Sequence, residues 1–391
     1  MANKMGNVTS LEEIERQSRK NARKRLVIVL VVLVLVLILF AVIGYLVSIR
    51  TYENYRVLTN VEWTHTATSR VLPYGNNFIS YSADGIRCTN AKGVDVWSHA
   101  YVMQEPMVSI DGEYVAVADY NGNELFIFDS SGLINTIATG MPITKIEVSA
   151  SGSVLTILDS GNLTPIHLYY KDGRDLVSFR VTMSQGGYPV AVDISDNSRL
   201  AAVSHLYMNG SNVVSKLVFY NFGEVGKNES DNIVSAYDYQ GAVAPIVRFF
   251  DDSHAFVMTD ERVAFFQGDQ RPSSVADCLI QEKVRSVYNN EDYLGLVFPD
   301  LTGNNNYRLD IYTDMGVLKN SIYFDMEYDE IIFSGNLVLI YNSGGCMIYS
   351  VDGRLRFLGD FEEPVLLMIP TSVDTRYTLV LDHAIQTIQL Q

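Results

Sequence analysis

The sequence predicts an all-β protein built as a closed ring of four-stranded units, and three observations carry that expectation. The first is the stretch Met107–Gly132, MVSIDGEYVAVADYNGNELFIFDSSG, which reads as strands separated by tight polar turns. Tyr114, Ala116 and Ala118 alternate with Val115 and Val117, and Leu125–Phe128 follows as the next strand. Between them, Tyr120-Asn121-Gly122-Asn123 offers the residues that supply positive φ angles to a hairpin. The second observation is recurrence. A polar turn closed by glycine returns at Gly93, Gly132, Gly173, Gly223, Gly268, Gly316 and Gly353, with spacings of 39, 41, 50, 45, 48 and 37 residues. A period of about 40–50 residues holding four strands is the pattern of a β-propeller. The third observation concerns the chain ends. The C-terminus has room for three strands, Val365–Pro370, Tyr377–Leu381 and Ala384–Leu390, and Tyr55–Trp63 near the other end supplies one. Three plus one completes a blade, so an N-terminal strand closes the ring and removes an exposed sheet edge. Eight blades are expected, with seven as the alternative.

The seven complete units fall at residues 69–102, 106–139, 142–183, 189–240, 245–282, 284–326 and 328–362. Pro106, Pro142, Pro189, Pro245 and Pro364 mark the start of five first strands. Proline suits that position because it can begin a strand but cannot continue a ladder.

Ahead of the ring, Leu26–Val47 contains no charged residue and is almost entirely Val, Leu and Ile. At about 1.5 Å per residue it would span roughly 33 Å, enough for a bilayer core of about 30 Å. Lys4, Arg16, Arg19, Lys20, Arg23, Lys24 and Arg25 precede it, whereas Arg50 and Arg56 alone follow closely. That asymmetry places the N-terminus in the cytoplasm and the ring outside. A cleaved signal peptide would have a shorter apolar core and a small-residue cleavage site, neither of which is present. The expected organisation is a basic cytoplasmic segment (1–25), a transmembrane helix (26–48), a linker (49–54) and an extracytoplasmic propeller (55–391). Ser10-Leu11-Glu12-Glu13 has the form of a capping box, so a short helix is expected from Leu11.

The 391 residues carry a net charge of −16. Residues 1–50 contribute eight Lys/Arg against three Asp/Glu, and the rest 21 against 42. A body that acidic excludes nucleic acid as a partner, since such affinity rests on neutralising phosphates. It equally disfavours adhesion to anionic surfaces. Cys88, Cys278 and Cys346 are too scattered for a disulfide framework or a metal knuckle, and each is expected as a buried free thiol.

Gly93-Val94-Asp95-Val96-Trp97, together with the DGEYVAVADYNGNELFIFD rhythm at residues 111–129, resembles quinoprotein-type (PQQ-like) and WD40-like blades. The whole plan, from residue 26 to 391, is similar to a domain-of-unknown-function family of single-pass, membrane-anchored β-propellers of Gram-positive, clostridial-type bacteria. The resemblance implies the fold and a place at the cell envelope, and it carries no catalytic residue onto this chain.

Each enzyme class that uses propellers leaves a mark in the sequence. Quinoprotein dehydrogenases of this repeat type hold their cofactor with adjacent cysteines and a recurring blade tryptophan, whereas this chain has only Trp63 and Trp97 and no adjacent cysteines. No cofactor is expected. Ser82-Ala83-Asp84-Gly85 misses the sialidase-type turn and reads as a plain β-turn. Asp119–Glu124 spaces its oxygens as a calcium loop begins, but no glutamate stands at the twelfth position, and a hairpin accounts for it. The six histidines never fall in metal-ligand spacing, and His99 and His167 are expected to pack inside strands. No nucleophile elbow or phosphate-binding loop is present. Asp251/Asp252 and Glu362/Glu363 fall at turns and are read as solvated.

Departures from the minimal blade carry the binding expectation. Two connections between second and third strands are long: Tyr207–Asn212 in the fourth blade and Asp300–Asn306 in the sixth. The polar interblade connection Ser184–Tyr188 shares their face. Amide-rich loops with interspersed tyrosine make adaptable recognition surfaces. The expected contact residues are Gln185, Tyr188, Tyr207, Asn209, Asn212, Asp300, Asn304, Asn305 and Asn306. The function expected is a non-catalytic, membrane-tethered module for a protein or glycan partner at the envelope. One rival is an envelope glycan enzyme with two carboxylates about 5–10 Å apart in the central channel. The other is a receptor signalling to the N-terminal helix.

Overall fold

The computed structural model describes residues 24, 26–40, 42, 44, 50–161, 163–182 and 187–391, with the backbone alone for 178–182. The chain divides into two compact units between Thr51 and Tyr52. In the first, residues 26–40 form an unbroken helix with exposed apolar side chains. The expected span Leu26–Val47 runs beyond the described residues, and among those described no helix is long and apolar enough to cross a membrane. The helix expected from Leu11 lies outside the described residues.

In the second unit, the described residues form eight antiparallel four-stranded sheets, each taken in chain order from strand A to strand D. Blades 1 to 7 occupy residues 70–100, 106–138, 143–182, 188–240, 246–279, 286–324 and 330–360. The last blade combines Val365–Pro370, Arg376–Leu381 and Ala384–Leu390 with Tyr55–Glu62 from the other end of the chain. That terminal strand pairs antiparallel with its neighbour from Tyr55↔Leu390 to Glu62↔Ala384. Eight blades and N-terminal closure are therefore the architecture.

The core sits between blades rather than within them. Its eight apolar clusters each draw on two neighbouring blades. The one that closes the ring joins Trp63, Leu367, Ile369, Val380 and Ile385 of the last blade to Phe78 of the first. Trp63 meets Phe78 edge-on with centroids 5.2 Å apart. Trp97, from the Gly-Val-Asp-Val-Trp run, stacks on Phe128 of blade 2 at 5.0 Å. The blade tryptophan thus serves packing between blades, where a buried aromatic contributes most.

At two of the recurring turns the glycine has a double cause. At Gly132, φ is +118° and an added Cβ would lie 3.3 Å from Trp97 of the preceding blade. At Gly316, φ is +76° and an added Cβ would lie 2.6 Å from Phe265 of the preceding blade. Both the left-handed backbone and the close approach require glycine. The Asn-Gly hairpin differs from expectation. Asn121 takes the left-handed position at φ 62°, but Gly122 does not. Gly122 is needed there because a Cβ would sit 2.8 Å from that of Asp119.

The ring begins before its first strand. Tyr52, expected in the linker, is buried against Phe357 of blade 7; its N–H donates to Arg356 O at 2.7 Å. Cys88 and Cys346 are buried free thiols as expected, whereas Cys278 is only half-buried and donates to Gly316 O at 3.5 Å. It lies on an outermost strand, Ser273–Leu279, whose outward side has no blade beyond it. His99 packs against Phe126 and Phe128, and His167 bonds Asp175 at 2.7 Å.

Candidate functional site

Because the strands of each blade alternate in direction, the B–C turns and the connections to the next blade open on one end of the ring, and the A–B and C–D turns on the other. The D strand at Tyr55–Glu62 runs from the A–B/C–D end towards the B–C/D–A end, so the chain comes into the ring at the former. All the described expected contact residues lie at the B–C/D–A end. Gln185 falls outside the described residues.

Tyr207–Asn212 is not a loop. Strand B of blade 4 runs from Leu200 to Asn209 and strand C from Asn212 to Asn221, so Gly210 and Ser211 alone make the turn. The pairs Tyr207↔Val214, Met208↔Val213 and Asn209↔Asn212 continue the ladder. Strand A begins at Tyr188, opposite Leu206, and strand D ends opposite Val214. The result is a projecting two-stranded ribbon. Its β-favouring residues, Tyr207, Val213 and Val214, extend the pairing, and Gly210 at φ 64° closes it in two residues. Tyr188 flanks the ribbon's base: a Cβ on Gly187 would stand 3.0 Å from that of Tyr207. Burial, then nearby Tyr120 and Asp159, push the Tyr188 hydroxyl pKa upward.

Asp300–Asn306 is a loop, but its amides are largely engaged. The Asp300 carboxylate accepts from the Thr302 N–H and hydroxyl and from the Asn305 N–H. Those bonds, Thr302 first, hold its pKa below the usual carboxylate range. Asn305 and Asn306 are tied to Asp325 in the next connection, and Asn304 donates to Thr302 at 3.3 Å. The structure therefore brings Tyr188 and Tyr207 together and leaves the Asp300 loop on its own blade. What the loop offers outward is Leu301, 78% exposed. Met208 on the ribbon is 62% exposed and Val102 94%, and Tyr120, Tyr188 and Val243 add exposed apolar surface at the same end.

The suspected calcium loop is accounted for by hydrogen bonds. The Asp119 carboxylate accepts from the backbone N–H groups of Gln104, at 3.0 Å, and Glu105, at 2.7 Å. Among the described residues no group of three or more His, Cys, Asp or Glu is placed to hold a metal ion. Asp251 and Asp252, read as solvated turn residues, in fact cap backbone N–H groups: Asp251 those of Ser253 and His254, Asp252 that of Asn197. Buried amides at turns demand such partners.

The central channel holds a quartet that the sequence did not single out. Ser109, Glu147, Asp193 and Arg248 lie on the A strands of blades 2, 3, 4 and 5. The Ser109 hydroxyl donates to Glu147 at 3.0 Å and accepts from the Val148 N–H. Arg248 Nη1 donates to Glu147 at 3.2 Å and lies 3.8 Å from Asp193, whose other oxygen accepts from the Phe249 N–H at 2.6 Å. Four successive inner strands are thereby laced together. Burial pushes the Asp193 pKa up; Arg248 and the backbone N–H groups of Phe249 and Ile194 oppose this, while Glu147 adds to it. Beside the quartet, a cavity of about 480 Å³ opens towards the A–B turns, and Asp111, Asp196 and Glu291 line it. Asp196 is pushed up to about 6 by burial and then by Asp111, Asp252, Glu291 and Asp251. The channel is thus not lined by apolar and hydroxyl groups alone. Its two central carboxylates share one guanidinium and hold neighbouring strands, which is a structural use of both.

The fold has solved counterparts. BamB from Moraxella catarrhalis is 10% identical and matches with a TM-score of 0.51 over 86% of this chain and 100% of that one. Hydrazine synthase of Kuenenia stuttgartiensis is 13% identical, covering 72% of this chain and 94% of that one, with a TM-score of 0.47. Hsv2p of Kluyveromyces lactis is 12% identical over 75% and 98%, also at 0.47. At 10% identity the likeness to BamB is one of fold alone. No curated protein matches the chain. The profile of DUF5711, a family of unknown function, matches residues 48–390, and the chain belongs to that family.

Proposed function

We propose that the ring is a non-catalytic binding module that engages a protein partner through its B–C/D–A end, at the outer side of a cell membrane to which Leu26–Val47 tethers it. The observation that carries this reading is the ribbon of blade 4 with Met208 at its tip and Tyr188 at its base, on the same end of the ring as exposed Leu301, Val102 and Tyr120. Tyrosine supplies contact area at low entropic cost, and methionine is enriched at the cores of protein interfaces. Strand Tyr55–Glu62 enters the ring from the opposite end. Apolar tips favour protein over glycan.

The test is proximity labelling in native membranes with the full chain. The control is a variant shortened by two ribbon pairs (Met208, Asn209, Asn212 and Val213 removed), which keeps the register of Tyr207 and Val214. The shortened ring should keep its unfolding free energy within about 0.5 kcal/mol, since the ribbon lies outside the core. It should lose the partner seen with the intact ribbon. Equal labelling by both chains would refute the reading. An enzymatic reading rests on Glu147 and Asp193; it would require Glu147→Gln to abolish turnover of an envelope glycan while the ring stays folded.

A further inference from the structure

A second site lies at the other end of the ring. Between blades 3 and 4 the A–B/C–D end carries a cavity of about 650 Å³. Its size falls in the range of about 300–1,000 Å³ typical of small-molecule pockets. The C–D connection of blade 4 borders it, and this connection alone among those described carries helical residues, Glu224–Lys227 and Ser230–Asn232. Three kinds of group line the cavity. Leu168, Leu176 and Phe222 form apolar walls. Ser151, Ser153 and Ser198 form a hydroxyl floor, and Arg199 and Lys227 supply cationic groups.

The floor is built and then left incomplete. Ser198 Oγ lies 2.7 Å from Ser149 Oγ and 2.5 Å from Ser151 Oγ, so these hydroxyls satisfy one another across the two blades. Ser153 is 1% exposed, and its hydroxyl has no hydrogen-bond partner among the described residues. A buried hydroxyl without a partner is destabilising by about 1–3 kcal/mol, which a bound acceptor would relieve. The stem of Arg199 is packed along Gly223, where an added Cβ would lie 3.4 Å from its Cγ. No carboxylate pairs with the Arg199 guanidinium among the described residues, although the chain as a whole is strongly acidic. Lys227, by contrast, is held by Glu224 at 2.8 Å.

We infer that this pocket binds a small organic anion with an apolar body, its carboxylate or phosphate head between Arg199 and the Ser153 hydroxyl and its body against Leu168, Leu176 and Phe222. The head gains a charge-assisted bond from Arg199, which has no carboxylate partner among the described residues, and the body covers the apolar walls. The described lining residues include no carboxylate to neutralise a cationic ligand with the same body.

The inference is tested by titration calorimetry on the full chain in detergent with three probes: 4-phenylbutyrate, 4-phenylbutylamine and acetate. Saturable one-to-one binding of 4-phenylbutyrate is expected, with no saturable heat from the amine and far weaker binding of acetate. Arg199→Ala should weaken 4-phenylbutyrate by about tenfold or more, as loss of a charged hydrogen bond does. Leu176→Trp, at a wall position 45% exposed, should block binding by filling the space without disturbing the core. Equal unfolding midpoints for all three chains would show that the losses are local. Absence of saturable binding, equal affinity for the amine, or unchanged affinity in both variants would overturn the site.

Discussion

A chain lacking residues 52–62 should fold into an open, aggregation-prone ring whose denaturation midpoint falls well below that of the intact protein. The deletion removes seven paired positions along Ala384–Leu390 and takes Tyr52 out of the cluster between blades 7 and 8. At roughly 1 kcal/mol per ladder bond, the loss is several kcal/mol, a large share of a typical domain's stability. Strand Ala384–Leu390 would also become an exposed edge, a template for pairing between copies. Because the missing element is a single strand that adds by backbone pairing, a synthetic peptide spanning residues 50–63 should restore both midpoint and solubility. Denaturant titration with light scattering checks this. Recovery by the peptide separates ring closure from a general loss of folding.

The second large effect should come from the channel. Arg248→Met leaves Glu147 and Asp193 facing one another with no cation between them. Removing one partner of a fully buried ion pair typically costs about 3–5 kcal/mol; with Arg248 41%, Glu147 23% and Asp193 14% exposed, the loss here should fall below that range. The loss should depend on pH in a defined direction. Burial raises the Asp193 pKa above its unfolded value of about 4 and Arg248 opposes that rise, so without Arg248 the folded ring takes up protons more readily than the unfolded chain. Stability of the variant should therefore rise as pH falls from neutral towards about 4. The same sign applies, more weakly, to Asp196 in the natural chain, whose pKa is raised to about 6. Arg248→Met combined with Glu147→Gln and Asp193→Asn should recover most of the loss at pH 7. A deficit independent of pH would show that the guanidinium acts through packing instead.

The ring was legible in the sequence because its signals are backbone requirements. Gly132 and Gly316 need both a left-handed φ and room for the preceding blade, so no other residue can mark those turns. The ribbon was misread because polar residues at Asn209–Asn212 look like loop, whereas two of them pair and only Gly210 and Ser211 turn. The engagement of Asn305 and Asn306 is not legible in the sequence, because their partner Asp325 lies in the next connection. The channel quartet escaped because its members differ in type. Their shared signal is positional: Glu147-Val148, Asp193-Ile194 and Arg248-Phe249 each set a polar residue before the last apolar one of strand A. The pocket beside Arg199 had no linear signal, since two blades and an insertion meet to make it.

The claim that the B–C/D–A end is the binding surface is tested most directly by site-specific photocrosslinking in native membranes. A photoreactive residue is placed in turn at Met208, at Leu301 and at Val317, the last being 62% exposed on the opposite end. The account predicts one shared protein adduct from positions 208 and 301 and none from 317. Adducts from position 317 alone, or from none of the three, would contradict it.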